Sequence, residues 1–304
     1  MWQPDPTWRR LPAGRGTLTS GVWLAWLDGV EWVVKRVDAP GPDQAPELSW
    51  PGHPAYWRRE AEVALHLPLD TPGAGLVAPE SRAVEEDADG YVVWSRHVPA
   101  EPPPGPFTAH ALGRFAATTL PDEPWLSRDL LPSRVERATG RGGWPTLQRT
   151  TMADLADALW TRRGHFLGRY AALPQRPAHG DAVPANLVAR SGDDVVALDW
   201  GQLGFAPAGA DLGYFALSGR EGFDVLLAAY LDGLAAGGLD SDPEDVAYAA
   251  RVMAVYTVVS QAEWALARAA KGEGALAGKY RHPSVAPYLR ALQRQLPQLE
   301  RLLA

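Results

Sequence analysis

One stretch of this chain restricts its fold and chemistry more than any other. It reads Ala178-His179-Gly180-Asp181-Ala182-Val183-Pro184-Ala185-Asn186-Leu187-Val188, and a little further on Val195-Val196-Ala197-Leu198-Asp199-Trp200-Gly201. Asp181, Asn186 and Asp199 are polar side chains set in largely apolar sequence. Residues 187–190 and 195–198 read as two short strands, and Ser191-Gly192-Asp193-Asp194 between them is turn chemistry. A turn that closes symmetrically pairs Leu187 with Leu198 and sets Asn186 opposite Asp199. Directly opposed residues of an antiparallel pair have Cα atoms about 4.5–5.5 Å apart. An amide oxygen and a carboxylate would then converge at the mouth of the hairpin, and hard oxygen ligands of this kind suit magnesium. Asp181 lies on the loop that leads in.

A carboxylate for an attacking hydroxyl, with an Asn and an Asp for a metal, is the layout that phosphoryl transfer uses. The residues match the His-x-Asp-(x)4-Asn and Asp-x-Gly pattern of the eukaryotic-type kinase superfamily. With His-Gly-Asp in place of His-Arg-Asp, and Asp-Trp-Gly in place of Asp-Phe-Gly, they resemble the aminoglycoside phosphotransferase family in particular. Its relatives include choline, homoserine and sugar kinases. The bland alternative is an ordinary hairpin with exposed Asp and Asn at its ends, for which types, spacing and hairpin must coincide by chance.

The resemblance implies an α+β, two-lobed protein-kinase-like fold: an N-lobe antiparallel sheet with one helix, and a mainly helical C-lobe. ATP would sit between the lobes and Mg2+ on Asn186 and Asp199. Asp181 would orient and finally deprotonate the acceptor hydroxyl, with His179 bracing the loop. Asp211, in an Asp-Leu pair that the family also carries, would be structural.

Lysine usage singles out Lys35. Of 29 basic residues only Lys35, Lys271 and Lys279 are lysines. Lys35 stands on the apolar strand Val33-Val34-Lys35-Arg36-Val37. A long cation there needs a partner or a phosphate, and a compact ammonium is not interchangeable with a guanidinium. It resembles the strand lysine of kinases that touches the α and β phosphates. Glu60 matches the helix glutamate that pairs with it, with Glu62 as the runner-up. Gly14, Gly16 and Gly21 could form the loop over the phosphates. The run ending Ser95-Arg96-His97 resembles the last N-lobe strand entering the hinge, where backbone groups would meet the adenine.

Other segments fall into place around these. Residues 22–27 and 30–37 form a hairpin about Asp28-Gly29, and 81–86 and 91–96 form another. Helices are expected over 56–67, 108–119, 151–173, 221–236, 243–270 and 285–303, with 120–150 a long loop or short helices. The Pro-rich run after Val98 sets the boundary between a nucleotide-binding lobe, 1–98, and a catalytic lobe, 99–304. Glu263 and Trp264 interrupt an apolar helix and are candidates to reach the substrate.

Composition excludes several classes. There are no cysteines, so disulfides and thiolate metal sites are out. A net charge of −7 argues against general nucleic-acid binding and leans toward a cationic small ligand. No apolar leader is visible, and the apolar run 247–260 carries Arg251 and is too short for a bilayer. A cytoplasmic protein with no membrane contact and no obligate protein partner is expected. Asp199 is followed within a few turns of chain by Asp211, and no Ala-Pro-Glu lies downstream. There is little chain for a peptide platform, so the acceptor is expected to be a small molecule bearing a hydroxyl, such as an aminoglycoside-like antibiotic or an amino alcohol. The alternatives are a metabolic sugar- or homoserine-type kinase, or a non-catalytic nucleotide-binding protein on the same fold.

Overall fold

The computed structural model describes residues 2–12, 18–140, 158–269, 290, 293–294 and 296–303. Strand β1 (Arg9–Arg10) edges a five-stranded antiparallel sheet. Its core is the hairpin of β2 (Thr19–Leu27) and β3 (Val30–Asp38), closed by Asp28 and Gly29 with φ of 52° and 78°. Both turn residues are left-handed, the conformation that matches the twist of a two-residue hairpin. Gly21, expected in a phosphate-covering loop, instead sits at a bulge in β2. Gly14 and Gly16 lie outside the described residues.

Alternation sorts the side chains of this sheet by face. Trp32 and Val34 of β3 join Trp23, Val92 and Trp94 on one face, under Trp2 and Trp8. Val37, with Tyr91 and Val93, packs on the other face against Ala61 of helix α1 (Arg59–His66). Lys35 pairs in register with Val93 and therefore shares the α1 face. Helix α1 starts later than the expected 56, because the backbone bonds Tyr56 N–H to His53 O and Trp57 N–H to Leu48 O keep the approach in turns.

Next comes β4 (Leu76–Val77), then β5 (Ser81–Asp87) and β6 (Gly90–Arg96), which complete the large sheet in the order β1-β2-β3-β6-β5. β4 leaves that sheet and runs parallel to β9 (Asp194–Ala197), which pairs on its other side with β8 (Leu187–Ser191). The hairpin is thus a three-stranded sheet. Asp194 is a strand residue and not part of the turn: its buried carboxylate accepts the Gly73 and Gly75 N–H groups at 2.7 and 2.8 Å.

Helix α2 (Gly105–Ala116) follows the Pro-rich run, and α3 (Leu130–Gly140) takes the helical one of the two options, a long loop or short helices, expected for 120–150. The expected helix 151–173 is described from 158. It breaks at Arg162 before α4 (Arg163–Ala172). β7 (Gln175–Ala178) and β10 (Gly204–Pro207) form a short antiparallel ribbon on either side of the functional stretch. Helices α5 (Ala210–Ala216), α6 (Phe223–Ala236), α7 (Pro243–Ala269) and α8 (Leu296–Leu303) close the chain. α7 is buried on all sides from Val246 to Val259 apart from Arg251, as its apolar run requires, and α3, α4 and α5 pack around it. α2 and α6 cross closely: a Cβ on Gly113 would sit 2.2 Å from Tyr230 O, and one on Gly233 2.1 Å from His110 O. Among the described residues no helix is long and apolar enough to cross a membrane.

Candidate active site

The loop after β7 is held by its backbone. Asp211, on the first turn of α5, accepts the His179 and Gly180 N–H groups at 2.6 and 2.9 Å. Burial pushes the Asp211 carboxyl up, and the two amide bonds pull it back only in part. The buried His179 ring accepts the Asp181 N–H at Nδ1 (3.2 Å) and donates from Nε2 to Leu198 O (2.9 Å), the arrangement of the Nε2–H tautomer. His179 therefore joins the Asp181 loop to the residue preceding Asp199. Gly180 has φ +81°, and a Cβ there would meet Gln202 O at 2.5 Å. The glycine of His-Gly-Asp is a steric requirement at this position.

Asn186 donates from Nδ2 to the Asp181 carbonyl at 3.0 Å and to Asp181 Oδ2 at 2.9 Å. This fixes the carboxylate and turns the amide oxygen, the end with ligand chemistry, away from it. The expected register is off by one. β8 and β9 pair as Ser191↔Asp194, Arg190↔Val195 and Ala189↔Val196, but then Leu187↔Ala197, with Val188 bulged out. Asn186 consequently faces Leu198, whose N–H it binds at 2.8 Å, and not Asp199.

Asp199 reaches the site by another route. Its backbone is left-handed, with φ 59° and ψ 64°, a conformation that costs a non-glycine residue about 1–2 kcal/mol. The turn directs its carboxylate to Lys35 Nζ at 3.1 Å, while Glu60 Oε2 lies 2.6 Å from the same nitrogen. Burial alone would lower the Lys35 ammonium, but Glu60 and Asp199 together hold it above its ordinary value. Burial opposes the Asp199 charge, and Lys35 outweighs it and keeps the carboxyl below the usual range. Burial raises Glu60, with Lys35 pulling the other way. Glu62 is not a rival partner: it pairs with Arg58 at 3.4 Å and lies 3.6 Å from His66.

Lys35, Glu60, Asp181, Asn186 and Asp199 line one cleft of about 1170 Å³. Ser95, Arg96, His97 and Val98 form its wall where β6 ends. Two of these amides are already used. Arg96 N–H bonds Glu80 O at 2.8 Å and His97 N–H bonds Glu31 O at 3.0 Å. The Arg96 side chain pairs with Glu80, and His97 Nδ1 lies 2.8 Å from Glu31 Oε2. Glu263 and Trp264 lie on the last turns of α7, and their side chains fall outside the described residues.

Three arginines near the site were not anticipated. Arg134 of α3 donates to Gly180 O at 3.3 Å and stacks over Tyr214 at 4.7 Å. Arg137, one turn on, lines the cleft. Arg59 is wholly buried beside Glu60. No spacing or composition signal marks any of them, since arginine is common throughout this chain.

A family model described as "Phosphotransferase enzyme family" matches residues 10–248. The chain belongs to that family. It is a phosphotransferase of small-molecule hydroxyls, on the two-lobed α+β fold of the protein kinases. Solved structures agree with the fold. One, the GDP and kanamycin complex of APH(2")-IIia, superposes with a TM-score of 0.61 at 14% identity, over 96% of this chain and 94% of the other. A choline/ethanolamine kinase family protein from Mesorhizobium loti gives 0.55 at 16% identity, over 97% and 92%. A macrolide 2'-phosphotransferase from Brachybacterium faecium gives 0.54 at 18% identity, over 94% and 93%. No curated protein is similar enough in sequence to match.

Proposed function

We propose that this phosphotransferase moves the γ-phosphoryl group of ATP, with magnesium, to a hydroxyl of a small molecule in the cytoplasm. The observation that carries the reading is the convergence of Lys35, Asp181, Asn186 and Asp199 on one cleft with the Lys35–Glu60 pair already formed. Residues 1–98 would bind the nucleotide, and 99–304 would supply the catalytic loop and acceptor site.

The donor set fits magnesium. Asn186 offers an amide oxygen and Asp199 a carboxylate, and this ion is commonly held by one or two protein oxygens plus substrate phosphates and water. When bound, the ion neutralises charge on the phosphates. Lys35 would touch the α and β phosphates. Among the described residues the next hinge amide beyond Arg96 and His97 without a backbone partner is that of Val98, so adenine recognition would pass to it, with the Ser95–His97 backbone shaping the wall. Asp181, held by Asn186, accepts the hydrogen bond of the acceptor hydroxyl and aims its oxygen at the γ-phosphorus. As the new P–O bond forms and ADP leaves, the hydroxyl proton passes to Asp181. The transition state is loose, so position matters more than basicity. His179 acts by bracing.

For the acceptor, the overall acidity favours an aminoglycoside-like antibiotic or an amino alcohol, and with the former a role in resistance. A second reading is a metabolic acceptor of the sugar or homoserine kind. Asp181→Ala tests the shared core: turnover falls by orders of magnitude, while ATP affinity and the fold persist. Near-normal turnover would remove Asp181 from the mechanism.

A further inference from the structure

Arg59 is the largest fully buried side chain of the protein among the described residues, and its surroundings are unusual. A guanidinium has five N–H donors. Each meets a backbone carbonyl: Nε donates to Trp125 O at 2.6 Å, Nη1 to Pro54 O at 3.0 Å and Gly201 O at 2.9 Å, and Nη2 to Pro51 O at 2.9 Å and His53 O at 2.6 Å. Among the described residues no carboxylate pairs with it, and the Tyr56 ring lies 5.8 Å from its Cζ. Burial brings the guanidinium down to about 10, so it stays charged at neutral pH. The partial charges of the carbonyls take the place of a counter-ion.

The carbonyls come from three separate parts of the chain. Three belong to the approach to α1, residues 51–54. One belongs to residue 125 beyond α2. One belongs to Gly201, two residues after Asp199. Arg59 itself is the first residue of α1, next to Glu60. The functional assignments above leave this side chain without a role.

We propose that Arg59 is a positioning residue that couples α1, and with it Glu60, to the backbone just past Asp199, so that the Lys35–Glu60 pair and the Asp199 turn form and break as one unit. The geometry supports this in two ways. The left-handed Asp199 lies between His179, which holds Leu198 O, and Arg59, which holds Gly201 O, so the strained residue is clamped from both sides. And α1 cannot swing away from the Trp125 and Gly201 carbonyls without leaving the buried Arg59 guanidinium short of acceptors, which is expensive for a charged group.

The inference rests on the reading of Asn186 and Asp199 as the magnesium-binding pair, and the experiment separates the two. The first measurement needs no substitution. Native-state hydrogen exchange on the parent should show 59–66, 125–127 and 199–203 opening together with a common free energy, although they are far apart in sequence. Separate opening energies for α1 and 199–203 overturn the coupling. The second uses Arg59→Lys, which keeps the charge but has only three donors. Affinity for AMP-PNP is measured by calorimetry with magnesium and again with EDTA. The parent should bind more tightly with magnesium. Arg59→Lys should lose at least tenfold of that gain while its EDTA affinity stays within threefold, and exchange at 199–203 should quicken. A variant that is less heat-stable yet keeps the full magnesium gain shows Arg59 to be merely structural and overturns the proposal. A parent with no magnesium gain refutes the metal assignment instead, and the exchange result then decides the coupling alone.

Discussion

Substituting Glu60 by Gln isolates the electrostatic centre of the site. Lys35 Nζ lies 2.6 Å from Glu60 Oε2, and both side chains are about four-fifths buried, at 19% and 17% exposure. At that distance an effective dielectric constant of about 20 gives an attraction of roughly 6 kcal/mol. Desolvation cancels much of this, and removing one partner of a buried pair typically costs about 3–5 kcal/mol. Here Lys35 keeps Asp199 at 3.1 Å, so the loss is less than for a simple pair. We take about 2 kcal/mol, which is about 30-fold in rate. Glutamine retains an oxygen acceptor for the ammonium, so the fold should survive. The consequence is positional: with Asp199 as its remaining anion, Lys35 is drawn toward Asp199 and away from where the proposed phosphates would lie. The assay is steady-state turnover with ATP as the varied substrate. The expected result is a fall of about 30-fold in kcat/KM, with no further fall when Glu60→Gln is added to Lys35→Met, because the pair is then already broken. A change under threefold, or full additivity of the two substitutions, would refute the reasoning.

Three further outcomes follow from the same geometry. Lys35→Arg keeps the charge but puts a planar fork where a compact ammonium fits between two carboxylates, so kcat should fall at least tenfold by initial-rate assay. Asp199→Asn should abolish most of the magnesium-dependent gain in nucleotide affinity while leaving metal-free binding nearly intact, as read by calorimetry. Asp87 accepts two bonds of 2.9 Å from Arg36, which hold its carboxyl down at about 2 from an ordinary 3.8. A lowered folded value stabilises above the unfolded value and is lost as pH falls through the folded one. The melting-temperature gap between the parent and Asp87→Asn should therefore be full near pH 6 and shrink as pH drops below 3.8 toward 2.

What the sequence disclosed depended on whether a signal was local. The Asp181 loop, Asn186 and Asp199 were legible because residue type and spacing together demand a hairpin with polar ends. Lys35 stood out because the chain otherwise uses arginine. The β2–β3 hairpin was legible from alternation and its Asp28-Gly29 turn, and β5–β6 from the strands on either side of Asp87-Ala88-Asp89-Gly90. The Asn186–Asp199 register was not, because the bulge at Val188 involves a residue that reads as ordinary strand. Strands β4, β7 and β10, of two to four residues, are too short for a period to show. Asp194 reads as turn chemistry, but the Gly73 and Gly75 amides, distant in sequence, make it a buried acceptor. Arg59 follows Arg58 in a helix rich in charge, and nothing nearby reveals that five carbonyls converge on it. Such convergence is a property of the tertiary fold alone.

The most direct test of the central claim is phosphoryl transfer itself. Purified protein is incubated with magnesium and γ-labelled ATP, in parallel with hydroxylated amines, aminoglycosides, sugars, hydroxy amino acids and generic protein substrates. The account predicts labelled phosphate on one small-molecule class, dependent on magnesium and absent with Asp181→Ala. Labelling of the proteins without any small-molecule product, or equal labelling by Asp181→Ala, would contradict it.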